Sequence, residues 1–407
     1  MERYIKTLKF ERAWRFSLAG AIARISFSST VLALLYTLRH IYGSWAMAGI
    51  ISGSMLIISS TVLPFTAYLI DRFGQTVIGF LFTYLKVSGM IATIIFCANK
   101  APIQFVALSS FVICFFSVPY GSMVRRRWSH ILRDENSKSK IHTAFAIENT
   151  IDNLIYVIGP ILITFTIANV SPELALLIPA ASNLIGGTAL FIQKSTRPPR
   201  NRELADKELT DKKLKTKKSV NKKIAGKKLT FLKQFNLVFV LVLVFSLYGS
   251  ADILARHIAI SENMPQLNGI IISTISAFGI VSSVLYPRIN KNGKRGWKFF
   301  CLILIIGSAL LPATCNNIYL FWANVAILGF ALSPIYILAD IVITKLPEQK
   351  NKTLNFSLVG ISNGLGNALG IYIIGFTVES NLVLACTTIA AICILGSAYA
   401  IFKFAKR

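Results

Sequence analysis

Apolar runs of about 20 residues follow one another from end to end of the chain, parted by short polar breaks, and a run of that length crosses a hydrocarbon core of about 30 Å. Water cannot satisfy backbone N–H and C=O groups inside lipid, so each run is expected to form a helix that pairs its own backbone. The runs predict twelve helices, near 16–38, 46–70, 77–98, 102–124, 141–168, 173–193, 234–257, 266–287, 297–314, 318–343, 353–377 and 381–402. With 54% hydrophobic and only 15% charged residues, and a mean hydropathy of +0.61, the composition excludes an ordinary water-soluble domain. The fold class expected is therefore an all-α membrane protein with twelve transmembrane helices in two six-helix bundles.

The charge alternates with the breaks. Of 43 Lys and Arg residues, 38 fall at the two ends of the chain and in every second break, which leaves Arg39, Lys100 and Arg256 for the opposite side and Arg24 and Lys86 within runs. The positive-inside rule makes the rich side cytoplasmic and puts both termini there. The net charge of +26 is thus explained by membrane topology, and nucleic acid is not an expected partner. Residues 1–38 also have the basic start and apolar run of a secretory leader. The run is longer than a leader's apolar region and lacks a clear cleavage site, so a retained first helix is expected.

Residues 194–233 form the longest polar stretch and divide the chain into an N-terminal bundle, 1–193, and a C-terminal bundle, 234–407. This linker carries fifteen basic residues against Glu203, Asp206, Glu208 and Asp211, and passes from Pro198-Pro199 through "DKKLKTKKSVNKKIAGKK". Such a composition cannot bury enough apolar surface to fold alone. A solvated tether near anionic lipid headgroups is the expected role.

Six cysteines (Cys97, Cys114, Cys301, Cys315, Cys386, Cys393) lie in or beside apolar runs with no C-x-x-C spacing, and the four histidines stand singly. These read as buried small side chains and run ends, so no metal, no cofactor and no catalytic residue is expected. Walker A, G-x-S-x-G and H-E-x-x-H motifs are absent, which leaves ATP-driven transport and hydrolysis without machinery.

The break after the second run reads Asp71-Arg72-Phe73-Gly74-Gln75-Thr76, and the break after the eighth reads Asn290-Lys291-Asn292-Gly293-Lys294-Arg295, an offset of 219. Here the chain resembles the major facilitator superfamily, whose loop between helices 2 and 3 carries G-x-x-x-D-R-x-G-R-R and whose second half carries a weaker copy. By that resemblance Asp71, Arg72, Gly74, Asn290, Gly293 and Arg295 belong to loops that change contacts as the transporter switches state. The sequence departs from the pattern at Ala67 for the first Gly, at Gln75 and Thr76 for the basic pair, and at Asn290 for the second Asp. Further pairs support an internal repeat: Pro119 with Pro334 at 215, and Asn149 and Asn153 with Asn363 and Asn367 at 214. The segment "RRRWSHILRDENSKSKIHTAFAIENTIDNLIYVIGP" and Arg24 resemble a bacterial branch of efflux and sugar permeases. Gly159-Pro160 resembles the core of that superfamily's antiporter motif, without its surrounding glycines.

Charge inside a span costs about 2.5–3.5 kcal/mol even on lenient scales, so intramembrane ionisable residues are candidates for function. Glu148 and Asp152 lie one turn apart on the fifth helix and are able to share a cation or compete for a proton. Arg24 and Glu148 are expected at about 12 Å and 10 Å from the basic side, at about 1.5 Å per residue, so the two are expected to pair across the first and fifth helices. A structural salt-bridge network explains the same three residues as well as a coupling role does. Asp252 precedes Arg256 by four residues, a spacing that suits a local pair, and Asp340 and Lys86 read as structural, Lys86 by snorkelling. Tyr36, Tyr120, Tyr248 and Tyr336, with Asn149, Asp252 and Asn363, are candidate cavity groups.

The expected function is secondary active transport of a small organic solute by alternating access, foremost as proton-coupled efflux. Import of a sugar or metabolite by symport or uniport, and a non-transporting solute sensor on the same fold, are the alternatives. Lipids, a small-molecule substrate and protons are the expected partners, and the cytoplasmic (inner) membrane is the expected location.

Overall fold

The computed structural model describes residues 2–43, 45–133, 140–199, 220–262, 264, 267–289, 294–346, 352–378 and 381–405. Among them the secondary structure is helical throughout, with no strand. Among the described residues twelve helices are long and apolar enough to cross a membrane: α1 Trp14–Tyr42, α2 Ile50–Phe73, α3 Gln75–Ala98, α4 Ile103–Ile131, α5 Ile141–Ile167, α6 Glu173–Ile192, α7 Leu232–Ala259, α8 Ile270–Ile289, α9 Arg295–Thr314, α10 Ile318–Thr344, α11 Lys352–Gly375 and α12 Leu382–Ala405. Each of the twelve overlaps one of the expected runs. Large apolar side chains such as Ile57, Phe165 and Leu395 stand more than half exposed, the outward surface that contact with lipid requires.

The largest departure is at α4. The apolar run there was expected to stop near residue 124, yet the helix continues to Ile131 and carries Arg125, Arg126 and Arg127 as buried residues of its last turns. These three arginines are therefore not loop residues. α4 is also interrupted: Ile103–Phe115 and Tyr120–Ile131 are helical, and the chain between them is not. Pro119 caps the second segment, where its missing N–H costs nothing, whereas within a helix its ring would clash with the preceding turn. Its repeat partner Pro334 sits inside an unbroken α10, so the two halves are not copies at this position.

Two compact units divide the chain. One comprises Met1–Ala144, Leu154–Lys217 and Glu348–Ser357, and the other Phe145–Asn153, Lys218–Pro347 and Leu358–Arg407. Unit 1 thus includes the first turns of α11, and unit 2 includes a stretch of α5.

In unit 1, α1 is tied to its neighbours by hydroxyls as well as by apolar packing. Ser28 Oγ donates to the Ile155 carbonyl at 3.0 Å, and Thr37 Oγ1 to the Pro172 carbonyl at 2.6 Å. Leu34, Met90, Ile113 and Ile163 share one buried cluster, and the Phe16 ring meets Trp128 edge-on at 5.0 Å.

In unit 2, α7 and α11 touch backbone to backbone: a Cβ at Gly370 would stand 2.0 Å from the Ser246 carbonyl oxygen, so only glycine fits. In the same unit the Phe245 and Tyr336 rings stack at 4.2 Å, and Trp322 Nε1 donates to Thr274 Oγ1 at 2.7 Å. All six cysteines are buried free thiols.

Candidate functional site

The turn between α2 and α3 is made by Gly74, whose φ of +99° lies where a side chain would be strained, and whose N–H closes on the Ile70 carbonyl at 2.8 Å. That reversal leaves Asp71 at the end of α2 yet fully buried. Its carboxylate pairs with Arg126 Nη1, from the last turns of α4. It also accepts the backbone N–H groups of Thr353 at 3.3 Å and Leu354 at 3.1 Å. These belong to the first turn of α11, whose N–H groups have no partner in their own helix and carry the positive end of its dipole. Arg126 completes the knot by donating to Thr353 Oγ1 at 2.9 Å and to the Pro199 carbonyl at 3.0 Å. One carboxylate therefore ties α2, α4 and α11 together within unit 1. Arg72, next to it, is exposed and lies over the Phe73 ring at 5.2 Å.

The departures from the family pattern at 75 and 76 have a structural counterpart. Gln75 is buried and its Oε1 accepts from Arg127 Nε at 3.0 Å, while Thr76 Oγ1 accepts from Arg197 at 3.2 Å. Arg127 spends its remaining donors on the Leu190 carbonyl at 2.9 Å, the Gln193 carbonyl at 3.1 Å and Thr196 Oγ1 at 3.2 Å. The first two are the free carbonyls at the C-terminal end of α6, which a guanidinium suits by charge as well as by geometry. Acceptors stand where the pattern has a basic pair, and the arginines come from α4 and from the chain after α6.

Unit 2 holds a second, uncharged network. Asn149 of α5 donates through Nδ2 to Ser283 Oγ at 2.8 Å and to Ser333 Oγ and carbonyl at 3.0 and 3.1 Å. Asn153, one turn on, donates to the same Ser333 Oγ at 2.7 Å. Amide and hydroxyl hydrogen bonds thus link α5, α8 and α10.

The other expected site residues are placed as follows. Arg24 is buried in unit 1, donates to the Gly20 carbonyl at 3.0 Å, and flanks Gly121 together with Arg125. Glu148 is fully buried and Asp152 half-buried, both in the α5 stretch of unit 2. Tyr120 is buried, shares a hydrogen bond with Thr83 at 2.7 Å, and stacks on Phe191. Tyr36 is exposed, whereas Tyr248, Asp252, Tyr336 and Asn363 are half-buried. Arg295 is exposed at the start of α9. Asn290 and Gly293 lie outside the described residues, as does the Arg256 side chain expected beside Asp252. Lys86 does not snorkel: it is 7% exposed, on the face of α3 that also buries Thr83 and Met90.

Arg126, Arg127, Thr353, Ser283 and Ser333 were missed as functional candidates. Three consecutive arginines directly after an apolar run, at helical spacing from it, were the available signal for the first two. Nothing local marks the other three.

Compared with known proteins, residues 16–370 match the sequence pattern of the Major Facilitator Superfamily. No curated protein matches the chain. Among solved structures, a bacterial homologue of the iron transporter ferroportin in its outward-facing state superposes with a TM-score of 0.74 at 14% identity, covering 97% of this chain and 99% of that one. The human organic anion transporter MFSD10 gives 0.69 at 14% identity, over 95% and 98%. The proton:xylose symporter XylE gives 0.67 at 10% identity, over 97% and 96%. At such identities these likenesses concern the fold.

Proposed function

Because this chain belongs to the major facilitator superfamily, a family of membrane transporters rather than enzymes, we propose that it exports a small organic solute in exchange for protons. The two bundles, 1–193 and 234–407, alternate access to the solute while the linker 194–233 and both termini stay in the cytoplasm. The cytoplasmic membrane is its location.

The observation that carries the coupling is the burial of Glu148. A carboxylate with no exposed surface, on a helix built to lie in lipid, holds its charge only at a cost, and Asp152 stands one turn away. Two carboxylates one helical turn apart are placed to share a cation or hand on a proton, which is what a proton carrier needs. Arg24 is the cation proposed for the same network, and the Asp71 knot is the contact made and broken in each cycle.

Proteoliposomes under an imposed pH gradient, screened with labelled organic solutes, test this. Wild type should drive solute against the proton flow, and Glu148→Gln should abolish gradient-driven flux while solute exchange persists. If Glu148→Gln and Asp152→Asn both keep gradient-driven flux, proton coupling through this pair is wrong. Solute moving with the protons would instead make the protein an importer of the kind that the proton:xylose symporter represents.

A further inference from the structure

The Asp71 knot borders a cleft lined by Arg126, Ser129, His130, Arg133, Pro198, Pro199 and Lys352. All of these residues belong to unit 1. Among the described residues the carboxylate bordering the cleft is already committed, since Asp71 answers Arg126 and the first N–H groups of α11. Lys352 Nζ donates to Ser129 Oγ at 3.2 Å, and among the described residues neither it nor Arg133 meets a carboxylate. Among the described residues, two cations without a carboxylate partner thus face a cleft that already holds a neutralised third.

Holding like charges together is unfavourable unless something negative joins them. The donors on offer are a guanidinium fork, a point-charge ammonium and a hydroxyl, the set that fits the tetrahedral oxygens of a phosphate group better than a flat carboxylate pair. Depth favours the same ligand. The α4 span ends at Ile131 and the α11 span begins at Lys352, so the cleft lies where hydrocarbon gives way to headgroups. Pro198 and Pro199 form its wall and open the basic linker, whose charge would enrich anionic lipid nearby.

We propose that this cleft is a phosphate-binding site, filled by the headgroup phosphate of an anionic phospholipid or by free phosphate, and seated on Lys352, Arg133 and Ser129. Bound there, the anion would brace the first turn of α11 against the end of α4. The proposal is independent of what solute the protein carries.

The test uses the full chain purified in detergent. Native mass spectrometry reads retention of phosphatidylglycerol against phosphatidylcholine, and thermal unfolding reads millimolar inorganic phosphate against chloride at matched ionic strength. Wild type should retain one phosphatidylglycerol, be stabilised by inorganic phosphate, or both. Retention of phosphatidylglycerol alone identifies the source as lipid, and stabilisation by phosphate alone identifies it as the free ion. Arg133→Gln with Lys352→Gln should weaken whichever binding is seen by about tenfold or more, as loss of charged hydrogen bonds predicts. Lys352→Arg should keep most of it. The linker variant Lys217→Gln with Lys218→Gln removes the same charge elsewhere and should leave binding unchanged. The proposal fails if wild type binds neither probe, or if the linker variant loses as much as the cleft variant, which would mean nonspecific attraction.

Discussion

Arg127 Nε stands 3.0 Å from Gln75 Oε1, both side chains buried, so that an amide of α3 accepts from an arginine of α4 at a place where the family pattern puts a base. The neutral residue at 75 is the partner that Arg127 requires. Restoring the pattern with Gln75→Arg would set two guanidinium groups against each other without water between them. We expect it to cost about 3–5 kcal/mol, the penalty of an uncompensated buried charge, and to lower the melting temperature in detergent. Gln75→Glu, which keeps an acceptor and adds a countercharge, should leave that temperature unchanged or raise it.

Asp71 holds Arg126 and the start of α11 at once, so its removal strands a guanidinium and two backbone donors. For Asp71→Ala we expect about 3–5 kcal/mol of lost stability. Amide hydrogen exchange at Thr353 and Leu354 should speed up while that of α9 and α10 does not. Adding Arg126→Gln to Asp71→Ala should recover part of the loss, since the stranded charge is then gone. Equal exchange in wild type and Asp71→Ala would mean that this carboxylate does not hold α11.

The spans were legible in the sequence because lipid leaves the backbone a single solution, and length and apolarity report it without knowledge of packing. Asp71 and Gly74 were legible because a tight turn leaves a local trace. Thr353 was not, since its role depends on which helix end is brought beside α2, and that is a fact of tertiary structure 282 residues away. Arg125, Arg126 and Arg127 were misplaced for a different reason. Hydropathy ends a span at the first cluster of charge, whereas buried arginines supplied with acceptors continue the helix. The cavity tyrosines had no signal beyond their position, and Tyr120 is engaged by Thr83 and Phe191.

Lys86 offers a sign test. Its side chain is 7% exposed on α3, with the Cys114 thiol beside it, and no carboxylate pairs with it among the described residues. A buried ammonium so placed costs stability, and an apolar side chain of similar volume fills the same space without that cost. Lys86→Met should raise the melting temperature, by about 1–3 kcal/mol of stability. A fall, or loss of solute flux at unchanged stability, would show that the transporter uses this charge.

The uncharged network of unit 2 should behave differently from the Asp71 knot, because it has no net charge to strand. Asn149 Nδ2 is the donor on which three acceptors converge: Ser283 Oγ, Ser333 Oγ and the Ser333 carbonyl, all within 3.1 Å. An amide nitrogen has only two hydrogens, so one of them is shared, and the bonds are correspondingly individual weak links in a set. Asn149→Ala removes all of them together. Ser333 Oγ still receives Asn153, however, and Ser283 Oγ still donates to the Gly279 carbonyl at 2.7 Å, so neither hydroxyl is left without a partner. We therefore expect Asn149→Ala to cost about 1–2 kcal/mol, well below Asp71→Ala. Asn149→Asp is the informative contrast. It keeps the volume and reverses the polarity, turning a donor into an oxygen that faces other oxygens in a buried site, and it should cost more than the truncation. A double-mutant cycle between Asn149→Ala and Ser333→Ala should show coupling of about 0.5–3 kcal/mol, the range for residues in one hydrogen-bond network. If Asn149→Asp were tolerated better than Asn149→Ala and the cycle were additive, α5 would not be held to α8 and α10 by this amide.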